Sequence, residues 1–131
     1  MKYDDLLKEN ISTEKNIKVK MNAAAGVIMR YDENDNKQIL LIQRSAKDHW
    51  PHHWEFPRGK CDQGPSESVV SCVKREIKEE TGLDIKVLAL IDKFQYLADG
   101  GTRLTTCYNY LCNQIHPDQK IKLSHEHQDH K

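Results

Sequence analysis

Hydrophobic and polar residues change their period several times along the chain, and each change predicts an element. Over residues 67–81 the apolar side chains Val69, Val73 and Ile77 recur every four positions, with Val70 added to the same stripe. That spacing predicts an amphipathic helix. Ser66 is its candidate N-cap, Glu67 stands in the first turn where the helix dipole favours a carboxylate, and Gly82 is its natural C-cap. Residues 23–29 form an apolar run of mostly small side chains, which predicts a strand packed closely against a neighbour. A turn cluster at 32–36 separates it from a second apolar strand over 39–42, so the two read as a hairpin or as neighbouring strands. Trp54-Glu55-Phe56 predicts a short strand. Residues 83–88 alternate and predict a half-exposed strand that continues through 91–96. Asp99-Gly100-Gly101 is a hairpin turn, and 104–111 is the return strand with Tyr108 and Tyr110 as sheet residues. Strands arranged around one long helix place the chain in the α/β class.

The polar side of the predicted helix carries the chemistry. Glu76, Glu79 and Glu80 stand at i, i+3 and i+4 and share one face. Like charges at that spacing cost a few tenths of a kcal/mol per pair. Most acidic runs are solvated faces. Three clustered carboxylates are also what a hard divalent cation needs, because Mg²⁺ takes oxygen ligands and keeps some of its waters. Arg75 lies four residues before Glu79 and eight after Glu67, within reach of either. Arg58 and Lys60 stand just ahead of the helix and are candidate phosphate contacts, with Arg58 able to act as a bidentate fork. Arg44, at the end of its strand, is a further candidate.

Composition narrows the classes. A chain of 131 residues suggests one domain, here an N-terminal polar arm over 1–18 followed by a domain over 19–131. Lys plus Arg and Asp plus Glu are 20 each, so no global field attracts nucleic acid or an acidic membrane. No apolar run approaches the length of a membrane span, and the first residues carry no signal-like apolar stretch, so no membrane association is expected. Cys61, Cys72, Cys107 and Cys112 make no CxxC pair, which reads as four reduced thiols in a cytoplasmic protein. Three histidines within 125–130 fit no zinc-finger spacing. The aromatics of the loop over 45–57, Trp50, Trp54 and Phe56, more often plug a core edge than bind ligand.

The helix and the loop before it resemble the signature of the Nudix hydrolases, G-x5-E-x7-R-E-U-x-E-E-x-G-U, where U is bulky and apolar. Gly59, Glu67, Arg75, Glu76, Ile77, Glu79, Glu80, Gly82 and Leu83 fill its positions. Two extra residues separate Gly59 from Glu67, in the turn around Gly64-Pro65-Ser66. The resemblance, over about residues 23–131, implies an α/β/α sandwich with a mixed β-sheet and one signature loop–helix–loop. Relatives commonly continue with further strand and a C-terminal helix, so the domain as given is expected to lack that helix. The resemblance also implies Mg²⁺, with Mn²⁺ as its substitute, held by Glu76, Glu79, Glu80 and the Gly59 carbonyl. Glu79 or Glu126 is then the general base, and Glu67 pairs with Arg75 to brace the loop. Leu123-Ser124-His125-Glu126-His127-Gln128, with His52-His53-Trp54 and Pro57-Arg58-Gly59, is similar to stretches of the asymmetric diadenosine tetraphosphate hydrolases. The implied reaction is hydrolysis of a nucleoside polyphosphate, a dinucleoside tetraphosphate first, to NTP and NMP. Trp54-Glu55-Phe56-Pro57 is similar to the MutT branch, which keeps a nucleoside triphosphate pyrophosphohydrolase open. An RNA 5′ end is a further substrate class, and a non-catalytic nucleotide-binding module is the reading from a different class. No obligate protein partner is expected.

Overall fold

The computed structural model describes residues 16–46, 51–64, 66–124 and 127–130. Residues 1–15 of the expected N-terminal arm, Trp50, Pro65, His125 and the candidate base Glu126 lie outside the described residues.

The elements are β1 (Val19–Tyr31), β2 (Lys37–Ile39), β3 (Ile42–Arg44), β4 (Trp54–Glu55), β5 (Arg58–Lys60), α1 (Val69–Thr81), β6 (Ile85–Ala98), β7 (Arg103–Gln114) and β8 (His127–His130). The apolar β1 lies inside the larger sheet. It runs parallel to β7, from Val19 opposite Arg103 to Met29 opposite Asn113. Its other edge is shared, antiparallel, by β5 against residues 23–25 and β2 against 29–31. β7 and β6 form the predicted hairpin, and Asp99, Gly100 and Gly101 all take the left-handed backbone that its turn requires. The sheet is therefore mixed, and α1 packs across β1. Gly26 on β1 lets the helix approach, since a Cβ there would collide with Ile77. Among the described residues α1 is the one helical element. A smaller antiparallel sheet orders β4, β3 and β8.

Three expectations are corrected. The apolar run at 39–42 is not one strand. Ile39 belongs to β2 and the larger sheet, Ile42 to β3 and the smaller one, and the chain crosses between them at Leu40 and Leu41. Ile39 is exposed while Leu40 and Ile42 are buried, yet all four residues are apolar, so hydrophobicity alone does not mark the break. The helix starts two residues late. Ser68, not Ser66, is its N-cap, in extended conformation and accepting from the Ser71 N–H at 3.1 Å. Glu67 consequently lies before the helix, and Val70 turns outward, off the buried stripe. Finally, the thiols are not all reduced: Cys61 and Cys72 form a disulfide, leaving Cys107 and Cys112 as buried free thiols. The reason is tertiary, because β5 brings Cys61 onto the first turns of α1.

The C-terminus of α1 is capped twice. Gly82, in the left-handed region, donates to the Lys78 carbonyl at 2.9 Å. The backbone N–H groups of Lys122 and Ser124 then donate to the Thr81 and Glu80 carbonyls at 2.7 and 3.0 Å. These bonds satisfy carbonyls that a helix end leaves open, and they bring the tail beside Glu80.

Candidate active site

The polar side of α1 divides in two. On one side Arg75 gathers carboxylates. Its Nε donates to Glu67 Oε1 at 2.6 Å, and its other nitrogens reach Glu76 Oε1 at 3.0 Å, both Glu79 oxygens at 3.2 Å and the Lys60 carbonyl at 3.2 Å. Glu67 in turn accepts from the Gln63 N–H at 3.1 Å, closing the loop that carries the two extra residues. The Arg75 hydrogen bond holds the Glu67 carboxyl below its ordinary value, and Arg75 itself is raised, with the Glu67 bond as the largest cause. The expected Glu67–Arg75 pairing is thus present in the geometry, with Glu79 as a third, half-exposed member.

On the other side Glu76 and Glu80 face a cleft of about 390 Å³. Its walls include Arg44, Glu55, Arg58, Gly59, Lys60, Glu76, Glu80, Tyr96 and His127. All three expected phosphate-binding cations therefore line the same space as two of the expected metal ligands. Glu80 is buried and accepts from the Arg58 backbone N–H at 3.1 Å. Burial pushes the Glu76 carboxyl up despite the neighbouring Arg75 charge, and Glu79 adds to the rise. Gly59 is required by contact rather than by backbone angle. It lies on β5 directly against Glu76, and a Cβ there would collide with the Glu76 carboxylate. A shallower recess beside the cleft is walled by Glu76, Glu79, Glu80, Asp62 and Ser124, so all three helix carboxylates do border one space.

Glu55 is the residue that the sequence pattern did not single out. It sits on β4 between two aromatics and lines the same cleft. Arg44 donates to both its oxygens at 3.2 and 3.3 Å, Arg58 Nε lies 3.7 Å away, and His127 Nε2 is 3.0 Å from Oε1. Burial alone would raise its carboxyl, but the His127 hydrogen bond and the charges of Arg44 and Arg58 outweigh it, and the net direction is down. A charged residue in an otherwise apolar strand was the available signal. His127 is buried and ties β8 to this hub. A second cavity is bordered by Ile28, Leu40, Leu83 and Ile121 with Arg30 and His130, and among the described residues no acidic side chain lines it.

The donor set fits a hard divalent ion in part. Among the described residues no three acidic, histidine or cysteine side chains converge on one point. Glu76 and Glu80 supply carboxylate oxygens at one wall, and Arg75 Nη1 is shared between Glu76 at 3.0 Å and Glu79 at 3.2 Å. Two carboxylates suit Mg²⁺, which completes its shell with waters and substrate phosphate oxygens. Glu76 is partly buried, which disfavours its charged form, and a bound cation would offset that cost.

The chain's likenesses agree with this geometry. Residues 20–131 match the NUDIX domain. An 8-oxo-dGTP diphosphatase of Proteus vulgaris is 37% identical over 75 residues, covering 57% of this chain and 62% of its own length. The asymmetrical bis(5′-nucleosyl)-tetraphosphatase of Mus musculus is 32% identical over 100 residues, covering 73% of this chain and 63% of its own. The chain thus spans less than two thirds of the length of these curated relatives. Among solved structures, a binary complex of Ap4A hydrolase from C. elegans superposes with a TM-score of 0.68 at 31% identity, covering 85% of this chain and 77% of that one. The mixed sheet with a loop–helix–loop across it is the fold of these proteins, and the chain belongs to the NUDIX domain family.

Proposed function

We propose that the protein hydrolyses a phosphoanhydride bond in a nucleoside polyphosphate with the help of Mg²⁺, and that a dinucleoside tetraphosphate, cleaved to NTP and NMP, is its preferred substrate class. The observation that carries this reading is one cleft with two helix carboxylates on one wall and Arg44, Arg58 and Lys60 around it. Glu76 and Glu80 are the proposed metal ligands, with Glu79 and the Gly59 carbonyl completing the set from the adjoining recess and strand. When bound, the ion supplies charge neutralisation at the phosphates and an acidified water. The chain's own residues do the rest. Arg58 and Lys60 meet the polyphosphate as it enters, and Arg44, held by Glu55, adds its positive charge to the same cleft. Glu67 and Arg75 hold the loop so that Gly59 stays against Glu76. Tyr96, half-exposed at the cleft, offers an aromatic face to a base. Glu126 is the proposed general base, with Glu79 as the alternative.

Support for the dinucleoside tetraphosphate comes from the tetraphosphatase likeness and from the motifs around His52 and Ser124. A MutT-type activity on nucleoside triphosphates is the second reading, favoured by the likeness to the 8-oxo-dGTP diphosphatase and by Glu55 within Trp-Glu-Phe-Pro. The test is a Mg²⁺-dependent product screen by chromatography on diadenosine tetraphosphate, 8-oxo-dGTP, canonical triphosphates and 5′-triphosphorylated RNA. ATP plus AMP from the first is the expected result. Turnover of 8-oxo-dGTP alone would move the assignment to the second reading. Nucleotide binding without turnover of any substrate would overturn both and leave a binding module.

A further inference from the structure

The Cys61–Cys72 bridge joins β5 to α1 beside the candidate cation site. Cys61 directly follows β5, and Cys72 stands on α1 four residues before Glu76, one helical turn away. The same strand meets the same helix a second time, where Gly59, two residues before Cys61, packs against the Glu76 side chain. The two contacts are in step, two residues apart along the strand and one turn apart along the helix. Together they clamp β5 lengthwise on α1. The connection between the bridged cysteines lies at the surface. Asp62, Gln63, Gly64 and Ser66 are exposed, and no atom would meet a Cβ placed on Gly64. This is the stretch that carries the two extra residues. It is held by the bridge, the Cys61 N–H to the Asn22 carbonyl at 2.8 Å, the Arg75–Asp62 ion pair at 3.6 Å, the Glu67 N–H to the Gly64 carbonyl at 3.2 Å and the Glu67 carboxylate on the Gln63 N–H. Cys72 is fully buried, whereas Cys61 is partly exposed and is the end that a reductant can reach.

We propose that the Cys61–Cys72 disulfide is a positioning device for the cation site: closed, it holds Gly59 and the neighbouring cations of β5 against Glu76 and Glu80, and its opening by a dithiol lowers the site's affinity for a divalent ion. The proposal rests on the metal-dependent reading above. In the opening step a reductant thiolate attacks Cys61 Sγ, the Cys61–Cys72 bond breaks, and Cys72 leaves as a thiolate that takes up a proton. The reductant's second thiol then displaces Cys61, which is released as a thiol. The dithiol is oxidised to its own disulfide as the protein's is reduced. A reducing compartment would keep the clamp open.

The test compares the full chain, prepared without reductant, before and after treatment with dithiothreitol. Mn²⁺ affinity is read by electron paramagnetic resonance, and amide exchange over residues 59–63 by mass spectrometry. Reduction is expected to weaken Mn²⁺ binding about tenfold, the scale of losing a group that orients a ligand, and to speed exchange in that stretch. A Cys61→Ser/Cys72→Ser variant should match the reduced protein and ignore dithiothreitol. Should it fail to fold, Cys61→Ser alone serves, since only Cys72 is part of the sealed core. Equal Mn²⁺ affinity and equal exchange in both redox states would overturn the proposal, as would four titratable thiols in the untreated protein. If the untreated protein binds no Mn²⁺, the metal-dependent reading fails. The clamp is then decided by exchange alone, faster on reduction supporting it and unchanged overturning it.

Discussion

Glu79 is half-exposed, with both oxygens held by Arg75, whereas Glu80, the next residue, is buried, with one oxygen on the Arg58 backbone and its side chain in the cleft. Their neighbours follow the same division. Glu67 and Arg75 satisfy each other within the loop, while Glu76, which also accepts from Arg75 at 3.0 Å, faces the cleft with its carboxyl raised by burial. One short stretch of helix thus holds a bracing set and a working pair, and adjacent identical residues belong to different sets. A run of acids on one helix face is not one site; the rotation of about 100° between successive residues is enough to separate roles.

The sharpest way to test that division is Glu80→Gln. Glutamine keeps the acceptor for the Arg58 N–H, so the thermal melt should hold, while Mg²⁺-dependent turnover should fall by about 100-fold or more. Turnover close to wild type would erase the distinction between the sets. Gly59→Ala attacks the working pair from the strand side. Its Cβ must displace the Glu76 carboxylate, and a loss of roughly 10- to 100-fold in kcat/KM is expected with the fold retained. Arg75→Ala targets the bracing set. Removing the charged hydrogen bonds to Glu67, Glu76 and Glu79 should lower the midpoint of a denaturant titration, and an unchanged midpoint would remove Arg75 from the bracing set. Glu79→Gln should be milder than Glu80→Gln, about tenfold or less in turnover, because Arg75 already holds both oxygens of this carboxylate.

The smallest effects are in pH. Glu67 is lowered from its ordinary 4.5, so its contribution is present above that value and disappears as pH falls through the folded-state value. Denaturant titrations of Glu67→Gln should therefore show a shallower loss of stability below about pH 4.5 than wild type. Glu76 is raised, so in metal-free protein its ionisation costs stability as pH rises through the window above 4.5. Glu76→Gln should remove that slope and melt no lower than wild type at neutral pH without metal, while losing Mg²⁺-dependent turnover. A lower metal-free melt would place Glu76 with the braces instead.

Much of this was legible in the residues themselves. The period of Val69, Val73 and Ile77, the glycine at 82 and the spacing from Glu67 to Leu83 specify a capped helix with its acids on one side, because those features are local and repeat with the backbone. The β6–β7 hairpin was equally plain from Asp99-Gly100-Gly101, where the turn needs left-handed residues. Other features could not be read along the chain. Ser66 and Ser68 are both competent caps, and the competing demand that Glu67 close onto Gln63 and Arg75 accompanies the choice of Ser68. The split of the 39–42 run depends on which sheet each end joins: Ile39 is exposed on β2 and Ile42 buried on β3, a difference that four consecutive apolar residues do not show.

What the sequence determined, then, is the helix, the chemistry of its polar side and the family to which the chain belongs. The tertiary structure alone decided which glutamates face the cleft, that Glu55 enters it from β4 to hold Arg44, Arg58 and His127, and that Cys61 meets Cys72. The physical reason is range. Periodicity and caps act within a turn or two of backbone, whereas the cleft and the bridge arise where β4, β5 and the tail are laid against α1 and β3 by packing between residues far apart in the chain.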